Sequence, residues 1–172
     1  MKALLRSGVG LSDAEQGTGV TPAVPRTVAT RVTSKRSRED FSAALIVAHP
    51  DDETLWAGGT ILMHPDWQWT VITLCRGSDP ERAPRFFRAL QELGAQGAMG
   101  DLNDEPSQPP LDDSLVEETV LSLLPRTDFT LLLTHGPRGE YTRHRRHEES
   151  SRAVGSLWQR RILRAPELWM FA

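Results

Sequence analysis

The stretch Ala43-Ala44-Leu45-Ile46-Val47-Ala48-His49-Pro50-Asp51-Asp52-Glu53 decides how this chain is read. A short aliphatic run ends abruptly in an imidazole, a proline and three carboxylates. That is the pattern of a buried strand delivering polar groups to its C-terminal end, where ligands bind in open α/β sheets. One imidazole and adjacent carboxylates on a rigid turn can bind a hard or borderline divalent cation and still spare a carboxylate as a base. Few structural needs would place three acids and a histidine directly after a core strand.

The same logic extends outward from residue 41. Residues 43–48 read as a strand and Thr54 to Met63 as a helix with small residues near its start. Trp69 to Leu74 is rich in β-branched residues and reads as a second strand. A helix follows from about Pro84 to Leu93, with Gly94 as its C′ glycine. Ala98-Met99-Gly100 reads as a short strand, followed by an acidic, proline-rich loop from Asp101 to Asp113. Leu115 to Leu124 has helical spacing and stops at Pro125. Phe129 to Thr134 is a further strand, Glu148 to Arg161 a helix, and Leu168 to Phe171 a last strand. Strands alternating with helices of about ten residues imply an α/β fold, a mostly parallel Rossmann-like sheet joined by right-handed crossovers and flanked by helices. The functional loops then belong at the C-terminal ends of the strands.

Residues 1–40 differ: Gly, Ser, Thr, Pro and Arg dominate, and apolar residues follow neither a period of 2 nor one of 3.6. They read as a poorly ordered N-terminal arm, and residues 41–172 as the domain. The basic cluster Arg31, Lys35, Arg36 and Arg38 reads as a solvated linker.

At 172 residues the chain supports one domain with a real core. A hydrophobic share of 38% and a charged share of 25% suit a soluble globular protein. A net charge of −3 argues against electrostatic binding to nucleic acid. The single cysteine, Cys75, requires no oxidising compartment and reads as core filler. No apolar run approaches the roughly 18 residues of a membrane span, and no signal peptide is visible, so the expectation is a cytoplasmic protein. Oligomeric state is open.

A second histidine loop carries the argument further. The strand at 129–134 ends in His135-Gly136-Pro137-Arg138-Gly139-Glu140-Tyr141, and the loop runs on to His144-Arg145-Arg146-His147. If the two strands are parallel neighbours, His49 and Asp52 face His147 across one cleft. Two histidines and a carboxylate, with a coordination position left for water, form a recurrent catalytic zinc arrangement. Pro50 forces Asp51 and Asp52 to point in different directions, so one can ligate while the other takes a proton. Glu53 reads as a helix-start acid favoured by the macrodipole.

The Ala-His-Pro-Asp-Asp-Glu run at 48–53, together with the His144-x-x-His147 pair, resembles the LmbE-like, or PIG-L, N-acetylglucosaminyl deacetylases. The resemblance covers roughly residues 41–171, including Thr73-Leu74 and the helix end Leu93-Gly94. It implies a zinc-dependent enzyme with His49, Asp52 and His147 as metal ligands. It implies Asp51 as general base and His144 as acid or oxyanion stabiliser. Zinc is the implied ion, with another divalent metal as the alternative, and a small amino-sugar conjugate is the implied substrate. Arg82 is the best match to a substrate-contacting arginine of the family, with Arg85 nearby, and Tyr141 is a further substrate-side candidate; His135 reads equally as a strand-end residue lining the pocket or as a satisfied core histidine. Arg145 and Arg146 depart from the Pro-Asp that commonly fills the middle of the pair, and Tyr141 stands three residues before His144 rather than two. The end at Trp169-Met170-Phe171-Ala172 reads as a C-terminal truncation of the family domain. Two other functions fit the same residues: a catalytically silent metal-binding relative, and a metal hydrolase acting on another amide or a phosphoester.

Overall fold

The computed structural model describes residues 41–105, 110–140 and 143–172. The arm read at 1–40 and the candidate Tyr141 lie outside the described residues. Five strands and four helices follow in the order β1 (Ser42–Val47), α1 (Gly58–Met63), β2 (Gln68–Cys75), α2 (Arg82–Leu93), β3 (Gln96–Leu102), α3 (Asp113–Leu123), β4 (Leu131–Thr134), α4 (Arg145–Gln159) and β5 (Glu167–Met170). A π-helical turn, Glu53–Ala57, leads into α1.

The sheet order is β3-β2-β1-β4-β5, and every pairing is parallel. The chain winds one way from β1 through β2 to β3, then crosses to the far side of β1 for β4 and β5. β1 and β4 are therefore the neighbours at which the winding reverses, with Ala43 opposite Leu131 and Ile46 opposite Thr134. The crevice outside their C-terminal ends is the ligand position this topology provides.

β1 is buried on both faces, which explains its unbroken apolar run. Alternate residues serve two cores. Ala44 and Ile46 join Ile72, Leu74 and Leu132 under α3 and α4, against Val116, Val120, Val154 and Leu157. Ala43, Leu45 and Val47 join Val71, Leu131 and Leu133 under α1 and α2, against Ile61, Phe86 and Leu90. At about 25 cal/mol per Å² of apolar surface removed from water, these two layers are the main source of stability.

Most elements shift by a residue or two at an end, and three differ more from their sequence readings. β3 runs from Gln96 to Leu102, longer than the expected Ala98-Met99-Gly100. Its glycines mask it: a Cβ at Gly97 would stand 2.0 Å from the Val71 carbonyl oxygen and 2.6 Å from Leu90 Cδ1, so only glycine lets this strand lie against β2 and α2. The expected helix from Thr54 divides into the π-helical turn and α1, and such turns recur at functional sites. α4 begins at Arg145, three residues before the expected Glu148. The His144 carbonyl accepts the N–H groups of His147 (3.0 Å) and Glu148 (3.2 Å), which starts the helix inside a polar stretch with no apolar period. Gly94 caps α2 in the left-handed conformation, φ 67°, as its position predicts.

Candidate metal centre

Parallel pairing of β1 and β4 brings the two histidine loops to one edge of the sheet. His49 and Asp52 lie on the turn after β1, His135 directly after β4, and His147 in the first turn of α4. All four are buried, an unusual density of polar groups at the rim of a core. Asp52 Oδ2 lies 3.2 Å from His49 Nδ1 and 3.3 Å from His147 Nε2, and those two nitrogens are 3.1 Å apart. Asp52 Oδ2 also accepts the backbone N–H of His49 at 2.8 Å, which pins the turn.

This near-equilateral triangle of two imidazole nitrogens and one carboxylate oxygen fits a divalent metal. Ligands at zinc's usual bond lengths in tetrahedral geometry stand about 3.3 Å apart. The donor chemistry, two imidazoles and a carboxylate, is that of catalytic zinc sites. The residues present therefore fit the ion, with His49, Asp52 and His147 as the groups that would hold it. His144 stands beside them: its ring centre is 4.6 Å from that of His49 and 4.9 Å from that of His147.

The electrostatics follow from this crowding. Burial alone raises the Asp52 carboxyl, but hydrogen bonding to the histidines around it outweighs burial and holds it well below the usual carboxylate range. Burial lowers His147, yet Asp52 and Glu140 outweigh it, so its proton is held above the ordinary histidine value. Burial, reinforced by His49 and His147 facing it, depresses His144. Burial pushes the Cys75 thiol up to about 12, in keeping with core filler at the end of β2.

Asp51 goes the other way from Asp52. Its side chain is 67% exposed, and Arg82 Nη1 lies 3.2 Å from its Oδ2. Arg82, the first residue of α2, also donates to the Pro50 carbonyl at 3.4 Å. Asp51 and Arg82 face a cleft of about 1270 Å³ that Arg76, Arg85, Phe86 and Asp104 also line. Asp104 connects this cleft to the triangle, because its Oδ1 meets His49 Nε2 at 2.8 Å. Glu53, expected as a helix-start acid, is buried and accepts the Asp51 N–H at 2.9 Å and the Thr54 hydroxyl at 2.8 Å.

His135 is fully buried behind the triangle, off the cleft wall. Its Nε2 accepts the Ala48 N–H at 3.0 Å and its Nδ1 faces Glu140 Oε1 at 3.3 Å. Its ring is completely enclosed, and its Nε2 also lies 3.3 Å from Asp52 Oδ2, so it stands against the triangle as a core histidine with both nitrogens engaged. Sequence reasoning also missed Glu140 and Asp104, the carboxylates on the outer nitrogens of His147 (2.5 Å) and His49. Neither lies in a run that marks it.

Backbone strain gathers at the same edge. Of the five non-glycine residues at positive φ among those described, Asp51 (φ 149°), Arg76 (φ 68°), Glu140 (φ 56°) and Arg143 (φ 52°) lie in loops after β1, β2 or β4, and only Arg161 (φ 58°), after α4, lies elsewhere. Such conformations cost of order 1–3 kcal/mol each and persist at functional sites, where the surroundings enforce them. Gly139 (φ 67°) has no alternative, since a Cβ there would meet the His144 backbone nitrogen at 2.8 Å.

Comparison with known proteins points the same way. Residues 44–158, more than half of the chain, match the family model described as PIG-L: GlcNAc-PI de-N-acetylase. A 56-residue stretch is 46% identical to the 1D-myo-inositol 2-acetamido-2-deoxy-alpha-D-glucopyranoside deacetylase of Actinosynnema mirum, covering 31% of this chain and 19% of that protein. Among solved structures, GalB, the 4-carboxy-2-hydroxymuconate hydratase from Pseudomonas putida KT2440, superposes with a TM-score of 0.51 at 20% identity, over 67% of this chain and 55% of its own. The conserved protein TT1542 from Thermus thermophilus does so with a TM-score of 0.51 at 21% identity, over 75% and 65%. These two likenesses speak to the fold alone. The chain spans less than two thirds of the length of each of these three relatives. Among the described residues, no helix is long and apolar enough to cross a membrane.

Proposed function

The chain belongs to the PIG-L family, and from that premise we propose that it is a zinc-dependent hydrolase that removes the N-acetyl group from an N-acetylglucosamine-type conjugate. The observation that carries the reading is the triangle of His49 Nδ1, Asp52 Oδ2 and His147 Nε2, with edges of 3.1–3.3 Å, beside a cleft that holds an unligated carboxylate. The relative from Actinosynnema mirum, named as a deacetylase of an acetamido-sugar inositol, supports the substrate class.

His49, Asp52 and His147 would hold a zinc ion, which when bound would supply Lewis acidity toward the amide carbonyl and would lower the pKa of a water to about 7. Asp51 takes the water's proton on its exposed carboxylate, which Arg82 orients from 3.2 Å. His144 completes the set on the other side. Neutral, it donates an N–H to the developing oxyanion; protonated, it gives its proton to the leaving nitrogen. The fully buried ring of His135 closes off the side of the site away from the cleft. The cleft's arginines, Arg82 and Arg85, bind the polar part of the conjugate.

The test is acetate release from an N-acetylglucosaminyl-inositol conjugate by the zinc-loaded full chain. The reading expects release that a chelator stops and added zinc restores. Metal uptake without acetate release from any N-acetylglucosamine conjugate would contradict the enzymatic reading.

A further inference from the structure

We propose that two carboxylates, Glu140 and Asp104, are positioning residues that fix the tautomers of His147 and His49, so that both rings aim a bare nitrogen at Asp52. The inference rests on reading His49, Asp52 and His147 as the metal-holding set. It assigns roles to two residues outside that set.

Glu140 has no exposed side-chain surface, and among the described residues its hydrogen-bond partners are nitrogens. Its Oε1 accepts the Gly136 N–H at 2.6 Å and lies 3.3 Å from His135 Nδ1; its Oε2 lies 2.5 Å from His147 Nδ1. An ionised carboxylate can only accept, so both ring nitrogens facing it carry protons. In a neutral imidazole the opposite nitrogen is then bare. His135 provides an internal check. Its Nε2 receives the Ala48 backbone N–H at 3.0 Å, which only an unprotonated nitrogen can do. The same Glu140 thus leaves His147 Nε2 bare, 3.1 Å from His49 Nδ1 and 3.3 Å from Asp52 Oδ2.

Asp104 does the same for His49 from the opposite side. Its Oδ2 accepts Arg76 Nε at 3.1 Å and Nη2 at 3.0 Å, a two-pronged grip that keeps it ionised. Its Oδ1 accepts His49 Nε2–H at 2.8 Å, leaving Nδ1 bare. α4 holds the loop that carries Asp104. Arg146 Nε donates to the Asn103 carbonyl at 2.6 Å and pairs with Glu149, whose Oε1 accepts the Leu111 N–H at 3.1 Å. Both carboxylates are tied to positive-φ residues, Glu140 itself and the Arg76 that grips Asp104. The surroundings hold that strain at the two points that aim the rings. Histidine ligands gain orientation and basicity from such partners, and losing one typically costs 10–100-fold in metal affinity.

The experiment reads tautomers in the metal-free, isotope-labelled full chain by long-range ¹H–¹⁵N correlation, on the alkaline plateau of a pH series where the spectrum no longer changes. Zinc affinity is measured in parallel by chelator competition. The wild-type spectrum is expected to show His147 protonated at Nδ1 and His49 at Nε2. In Glu140→Gln, an NH₂ group must face an N–H donor; His147 is expected to move its proton to Nε2, and zinc affinity to fall about 10–100-fold. Asp104→Asn is expected to mix the His49 tautomers with a smaller loss, and Asp128→Asn, at the other end of the sheet, to change neither. Wild-type His147 protonated at Nε2, or Glu140→Gln binding zinc as tightly as wild type, would overturn the proposal. If Glu140→Gln does not fold, the wild-type spectrum decides alone. A wild-type chain with both expected tautomers and no zinc affinity would support the tautomer assignment and overturn the metal reading.

Discussion

At the N-terminal end of the sheet, Arg126, Asp128, Arg161 and Arg164 line a cleft of about 990 Å³; at the C-terminal end, Arg76, Arg82, Asp51 and Asp104 line one of about 1270 Å³. The residue types are nearly the same and their use is not. Asp128 and Arg164 form a two-pronged pair whose side chains are 63% and 60% exposed, so water and salt screen it. At the other end Asp104 is almost buried and divided between Arg76 and His49, and His49 passes the interaction on to Asp52. Charges that are buried, shared and linked in series mark the chemical end of this sheet. Charges that pair one to one in solvent mark the other.

Removing a member of the buried set should have the largest effect. His147→Ala takes one corner from the triangle and is expected to lose more than about 100-fold in zinc affinity, with acetate release falling to background. Calorimetry or chelator competition beside the acetate assay checks both. Asp51→Asn is the sharper variant, since Asp51 lies outside the triangle. It should keep zinc at wild-type affinity while turnover falls about 10²–10⁴-fold. Turnover that survives this change would remove Asp51 from the base role.

Glu149→Ala breaks a pair whose side chains are 5% and 3% exposed and strands a buried Arg146 cation, a loss of about 3–5 kcal/mol readable by denaturant titration. A smaller effect comes from pH. Asp52 and Glu140 raise His147 above its ordinary value, so the metal-free site holds that proton more tightly than a free histidine does. Zinc must displace it. Affinity should therefore decline as pH falls through the raised His147 value, beginning above the range expected of an unperturbed histidine. Arg164→Ala, at the solvent end, should alter neither melting nor zinc affinity, and a marked effect there would erase the contrast between the two ends.

The contrast also explains what is legible in the sequence. The run from Ala43 to Glu53 announces itself because a fully buried parallel strand must be apolar and its chemical end must not be. Parallel pairing then places His147 opposite His49 with nothing more than strand order. β3 reads shorter than it is because Gly97 and Gly100, which let it approach β2, weaken the strand signal. α4 reads as starting late because its first turn, Arg145-Arg146-His147, buries polar groups instead of an apolar stripe. Glu140 and Asp104 are invisible for a different reason. They act on histidines 7 and 55 residues away through loops of irregular backbone, and no local pattern encodes such contacts. Arg146, a departure from the family's usual acid, acts as a buried tie to the Asp104 loop.

The decisive test of the metal centre is anomalous X-ray scattering at the zinc edge from crystals of the full chain grown with zinc. One strong peak is expected within bonding distance of His49 Nδ1, Asp52 Oδ2 and His147 Nε2, and none there in His147→Ala. A peak elsewhere, or no peak at the triangle in crystals that hold zinc at other positions, would contradict the assignment.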